Sequence, residues 1–115
     1  MPSLADVRTL ALALPEATES VTYGRPSFKL RRKLFAWLPE DDVLVVKVDP
    51  VERDLLEEAD PETYVVSAHH RPHPLMAVPL EGIDAERARD LLFDAWWWVA
   101  PDRLRRAHDP EAPGA

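Results

Sequence analysis

The sequence predicts an α+β protein, a two-layer α/β sandwich with a mostly antiparallel sheet, and three observations carry that expectation. Residues 27–48 alternate with period two and fold back on themselves through two short turns. Three segments with apolar residues at helical spacing follow capping residues at Ser3, Asp49 and Asp84. Further strand-like runs sit before the first hairpin and between the last two helical segments, so the order is helix, three or four strands, helix, two strands, helix.

The first helix begins after Ser3, a good N-cap with Asp6 three residues on, and carries Leu4, Val7, Leu10, Ala11 and Leu14 on one stripe until Pro15 stops it. Glu16 to Ser20 read as a polar turn, and Val21 to Tyr23 as a short edge strand. Gly24 permits a positive φ and Pro26 pushes Arg25 toward an extended conformation, which places Arg25 on a stiff corner.

Phe28 and Leu30 then alternate with Ser27, Lys29 and Arg31. With Arg32-Lys33 as a two-residue loop, Arg31 pairs with Leu34, Leu30 with Phe35, Lys29 with Ala36 and Phe28 with Trp37; a bulge is the alternative, because neither loop residue favours positive φ. A second hairpin over Pro39–Asp42 pairs Leu38 with Val43 and sets Leu44 and Val46 beside Trp37 and Phe35. Phe28, Leu30, Phe35, Trp37, Leu44 and Val46 are thus expected on one buried face. The opposite face is expected to mix Lys29, Arg31 and Lys47 with Leu34, Ala36, Leu38, Val43 and Val45. Such a mixture calls for a cover, first another strand, the chain's tail or a second copy, and otherwise a ligand.

Asp49-Pro50 is an N-cap followed by proline at the first helical position, with Glu52 in the capping-box place. Val51, Leu55 and Ala59 make the expected apolar stripe of this helix, and Glu52, Asp54, Glu57 and Glu58 its solvated acidic face. Thr63 to Ser67 and Leu75 to Leu80 read as strands around the loop Ala68–Pro74, with Pro79 marking an edge or a bulge. A long helix over 85–100 carries the stripe Ala88, Leu91, Leu92, Ala95 and Val99. Trp96, Trp97 and Trp98 cannot all face one way, so at least one leans on the sheet's far side, the tail or a partner. Residues 1–108 are read as one domain and 109–115 as a disordered tail.

The chain of 115 residues has no cysteine, which excludes disulfides and thiolate metal sites. No apolar run approaches a membrane span and the N-terminus lacks a signal peptide's pattern, so a cytoplasmic protein without membrane contact is expected. The net charge of −7 argues against a whole-protein affinity for polyanions. Yet Arg25, Lys29, Arg31, Arg32 and Lys33 give residues 24–33 a charge of +5 with no acid, leaving −12 for the remainder.

Tyr23-Gly24-Arg25-Pro26-Ser27-Phe28-Lys29, then Lys33-Leu34-Phe35-Ala36, then Val46-Lys47-Val48-Asp49-Pro50 and a C-terminal helix ending near a tryptophan together resemble the MmcQ/YjbR-like family of small bacterial proteins. The resemblance runs from about Leu4 to Leu104. It implies an α-β(3)-α-β(2)-α arrangement similar to secretion-chaperone and double-wing folds, and a DNA-binding label with the hairpins as wings. Arg32 stands where relatives often have glycine, and His69 to Pro74 replace a more aromatic or glycine-containing loop.

No catalytic constellation is present, so no enzyme and no cofactor is expected. His69, His70 and His73 are neighbours without an acid in their loop, which argues against a metal site. Ser27 lacks a nucleophile elbow, and no glycine-rich phosphate loop exists. The expected function is non-enzymatic DNA binding, with Arg25, Lys29, Arg31, Arg32, Lys33 and Lys47 contacting phosphates. Tyr23 is expected to be a half-buried edge aromatic rather than a stacking platform. Two other readings stand beside it: a protein-interaction or chaperone-like homodimer through the mixed sheet face and the tryptophan-rich helix, and a small anionic ligand clamped by Arg25.

Overall fold

The structure is a computed structural model and describes residues 1–108; the expected disordered tail lies outside the described residues. Its elements are α1 (Leu4–Leu12), β1 (Ala17–Thr22), β2 (Arg25–Leu30), β3 (Lys33–Glu40), β4 (Val43–Lys47), α2 (Pro50–Ala59), β5 (Leu75–Pro79), α3 (Ala85–Val99) and α4 (Asp102–His108), with a short 3₁₀ turn over Leu80–Gly82. The five strands form one antiparallel sheet in the order β1-β2-β3-β4-β5. Four strands precede α2 and one follows it. Of the expected strand over Thr63–Ser67, only Val65 joins the sheet, through a single bridge to Ala77.

The helix starts follow the capping chemistry. Ser3 and Asp6 form a reciprocal capping box. Asp49 accepts from the Val51 amide with Pro50 at the first position, and Asp84 accepts from the Arg87 amide. β1 begins earlier than its polar sequence suggested, because an edge strand is held by ladder hydrogen bonds to β2 rather than by burial.

α1 and α3 pack together on one side of the sheet. Phe28, Leu30, Phe35, Ala36, Leu38, Leu44, Val46, Met76 and Val78 meet Val7, Ala11, Ala88, Leu91, Leu92, Ala95 and Trp96 there, all buried. Trp96 is fully buried and its indole donates to the Pro15 carbonyl, tying α3 to the exit of α1. Trp97 is half-buried under the Arg105 guanidinium, and Trp98 is exposed.

Both hairpins differ by register from the expected pairing. The first loop is Arg31-Arg32, with φ +49° and +76°, so Leu30 pairs with Lys33 and Lys29 with Leu34. A bulge then inserts Phe35, after which Phe28 pairs with Ala36 and Ser27 with Trp37. The second loop is Asp41-Asp42, and a further irregularity lies between Trp37 and Glu40, where Pro39 cannot donate to the ladder. Trp37 pairs with Val45 and Ala36 with Val46. Ala36 and Leu38 therefore enter the core, and Trp37 lies on the opposite face.

The strained tip is tied down. Glu16, itself at φ +60°, receives two hydrogen bonds from Arg31, at 3.0 and 3.2 Å, just beyond the Ala17–Leu30 pair. This bidentate pair favours the charged carboxylate and holds Glu16 below its ordinary titration range.

The expected stripe of α2 is corrected. Val51 and Leu55 are 71% and 64% exposed, whereas Arg53 is 4% exposed and Leu56 is packed against the core. The reason is hydrogen bonding: the Arg53 guanidinium donates to the carbonyls of Arg71, His73 and Leu75, satisfying the backbone of the histidine loop. Arg71 adds a bidentate pair with Glu57.

Three outcomes follow for stability. Arg53→Ala strands three carbonyl acceptors and is expected to lower the unfolding free energy by about 3 kcal/mol in denaturant titration. Leu55→Ala, on the exposed side, is expected to change it by less than about 0.5 kcal/mol; reversed magnitudes would contradict the orientation of α2. The depressed Glu16 titration supplies stability that is present above its unfolded-state value, near 4.5, and is lost as pH falls through the lower folded value. Melting temperatures of the wild type and Glu16→Gln should therefore differ at neutral pH and converge once the pH falls below the lowered folded-state value of Glu16.

A candidate nucleic-acid interface on the open sheet face

Helices α1 and α3 pack on one face of the sheet, and the residues of the second face fall in rows fixed by the ladder, its centre buried at Ser27 and Val45. One row reads Thr18, Lys29, Leu34, with Lys47 and Leu75 continuing it across β4 and β5. The next reads Ser20, Ser27, Trp37, Val45 and Ala77. The third begins with Thr22 and Arg25 and includes Val43 and Pro79. This is the mixed cationic and aliphatic face expected from the sequence, with Trp37 in place of Ala36 and Leu38, and with Arg31 in the turn instead of on the face.

Trp37 organises its centre. Its indole N–H donates to the Thr22 carbonyl at 3.0 Å. Since Thr22 is on β1 and Trp37 on β3, the indole spans β2, where its register partner is the small Ser27, which is fully buried. The Thr22 hydroxyl and Ser27 Oγ are hydrogen-bonded at 2.8 Å, so no polar group is stranded there.

Tyr23 continues this aromatic surface. It occupies the two-residue turn between β1 and β2 at φ +51°, beside Gly24 at φ +74°, where a residue without Cβ is the unstrained choice. The tyrosine ring centroid lies 6.0 Å from Trp37, tilted by 58°. Tyr23 is 91% exposed, which corrects the half-buried edge aromatic expected from sequence. The exposure follows from the turn position, since β1 ends at Thr22 instead of running through Tyr23 as the sequence suggested.

The six cations expected to contact phosphate are placed unequally. Arg25 donates to the Leu38 carbonyl and pairs with Asp41, so its guanidinium is already engaged. Arg31 is engaged by Glu16. Among the described residues, Lys29, Arg32, Lys33 and Lys47 have no carboxylate within ion-pairing distance. Arg32 and Lys33 are exposed at the β2–β3 tip, and Lys29 and Lys47 are half-exposed in one row flanking β3. Two strand spacings separate Lys29 from Lys47, roughly 10 Å. The face is thus uneven in charge from one end to the other. Cations gather toward the Arg31-Arg32 turn, and the Tyr23-Gly24 and Asp41-Asp42 turns share the other end.

The histidine loop lies elsewhere. His69 and His70 rings are 5.6 Å apart and His69 and His73 6.4 Å. Burial, with the neighbouring imidazoles, pushes His70 below its ordinary value. Among the described residues, no group of three His, Cys, Asp or Glu side chains is arranged to hold a metal ion. None of the described helices is long and apolar enough to cross a membrane.

Among curated proteins no relative is found. A crystal structure of the Deinococcus radiodurans protein DR2400, of domain family DUF419, is similar in fold, with a TM-score of 0.76 and 22% identity over 93% of this chain and 88% of that one. The family model YjbR matches residues 12–98, from the last turn of α1 to the tryptophan run of α3, and with it the whole sheet on which the open face is built; the chain belongs to the YjbR family.

Proposed function

We propose that this protein is a non-enzymatic DNA-binding module that holds phosphates through Lys29, Arg32, Lys33 and Lys47. The observation that carries the reading is that these four cations, free of acidic partners among the described residues, gather at the β2–β3 end of the sheet, with Lys29 and Lys47 on the open face, Arg32 in the turn and Lys33 opposite the core residue Leu30. α3, with Glu86, Asp90 and Asp94, packs on the other side of the sheet. At moderate salt, charges a sheet thickness away are largely screened from a strand on the open face. Arg25 and Arg31 serve the scaffold in this reading, and four cations set a modest, salt-sensitive affinity in the micromolar range or weaker.

A second reading is favoured by a different feature. Val51 and Leu55 are exposed one helical turn apart on α2, and Trp98 is exposed on α3 beside the cleft that it shares with Glu52. Together they offer an apolar patch to a second copy. Sedimentation equilibrium checks this: a dimer that Leu55→Glu converts to monomer supports it, and a monomer at all concentrations sinks it.

The DNA reading is tested by fluorescence anisotropy with labelled DNA at several salt concentrations. Four phosphate contacts predict a slope of log affinity on log salt of about −3.6 for a duplex and about −2.8 for a single strand. The variant combining Lys29→Ala, Arg32→Ala, Lys33→Ala and Lys47→Ala is expected to lose binding. No binding by the unaltered protein at about 50 mM salt, where the counterion effect is strong, would overturn the reading.

A further inference from the structure

We infer that the nucleic acid taken by the open face is single-stranded, and that Tyr23, supported by Trp37, is the platform on which an unpaired base stacks. This rests on the phosphate-binding reading above and specifies its ligand. Three observations lead to it.

The first is Tyr23 itself. An aromatic ring that is 91% exposed buries almost none of its apolar surface, yet it stands on a turn whose backbone is left-handed at both residues. Its base is placed by that turn, and the ring neighbours Trp37, with centroids 6.0 Å apart, whose indole is fixed by its bond to the Thr22 carbonyl. A preorganised, exposed π face costs little further ordering when a base settles on it. Bases of a duplex are already stacked on one another and present only their edges in the grooves; a single strand offers free faces.

The second is the division of labour along the face. At the Tyr23 end the only strand-borne cation of the third row, Arg25, is engaged by Asp41, and Asp42 adds a further acid. Phosphate contact is disfavoured there, and stacking, which is insensitive to that charge, is not. At the opposite end Lys29, Lys47, Arg32 and Lys33 supply charge without aromatic rings. From Arg25, next to the Tyr23-Gly24 turn, to Lys29 the chain runs four strand steps, roughly 13 Å, so a short oligonucleotide spans both ends.

The third is shape. The face is an open antiparallel sheet about four strand spacings wide, roughly 19 Å, with small or flat residues (Ser20, Ser27, Trp37, Ala77) along its central row. Such a surface lets a flexible strand lie down; it carries no helix to enter a major groove.

The experiment measures anisotropy of three labelled ligands at fixed salt: an oligothymidylate of roughly 12 nucleotides, a strand of the same length with abasic sites replacing the bases, and a duplex of similar length. Proteins compared are the wild type, Tyr23→Asn, which suits the left-handed turn, Tyr23→Phe, which keeps the ring, and the four-cation variant. Thermal melts check that each variant is folded. The expected result is tighter binding of the oligothymidylate than of either other ligand, a loss of roughly 5- to 150-fold for Tyr23→Asn, and near-normal binding for Tyr23→Phe. Equal binding of the abasic strand, preference for the duplex, or no effect of Tyr23→Asn overturns the stacking inference. If the four-cation variant still loses binding in that case, the phosphate reading stands without it. If the four-cation variant binds as well as the wild type, or the wild type binds none of the ligands, the phosphate reading falls as well.

Discussion

One extra residue in β3 decides the character of both sides of this sheet. The helices cover a single face, so every strand residue is either core or surface according to the parity of its pairing. The bulge at Phe35 keeps that phenylalanine and Ala36 both inside, and from there outward the parity of β3 is reversed. Leu38 goes into the core and Trp37 comes out of it. All later features of the open face depend on this: the indole crossing β2, the burial of a serine beneath it, and the support it gives to Tyr23.

The same dependence explains what the sequence made legible. Helix starts are written in three or four adjacent residues, so Ser3 with Asp6, Asp49 with Pro50, and Asp84 announced themselves. The two-layer α+β class and the mixed cationic and aliphatic face were also readable, because both need only approximate alternation. Register was not. Two arginines in a left-handed turn have no local signature, and it took Glu16, fifteen residues upstream, to hold one of them there. Pro39 hinted at an irregularity but not at its direction.

α2 shows a different limit. Its apolar residues Val51 and Leu55 suggested the buried side, but the helix turns Arg53 inward instead. What it meets is a loop full of carbonyl groups rather than a hydrocarbon surface, and a guanidinium answers those acceptors better than a leucine. A periodicity argument weighs hydrophobicity alone and has no access to the hydrogen-bonding needs of a segment twenty residues away. Of the six candidate cations, for the same reason, the sequence could count charges but not see that Asp41 and Glu16 had already claimed two.

The β2–β3 tip also has an evolutionary reading. A left-handed backbone costs an L-residue on the order of 1–2 kcal/mol relative to glycine. Arg31 is at least paired with Glu16, but Arg32, at φ +76°, has no such partner among the described residues. Glycine would relax this position at once, so its absence marks a place where the chain holds a side chain against its own conformational preference. Stabilising substitution and loss of charge coincide at that one residue. A selection for thermal robustness alone would be drawn to it first, and the surface chemistry of the tip would be what it gave up.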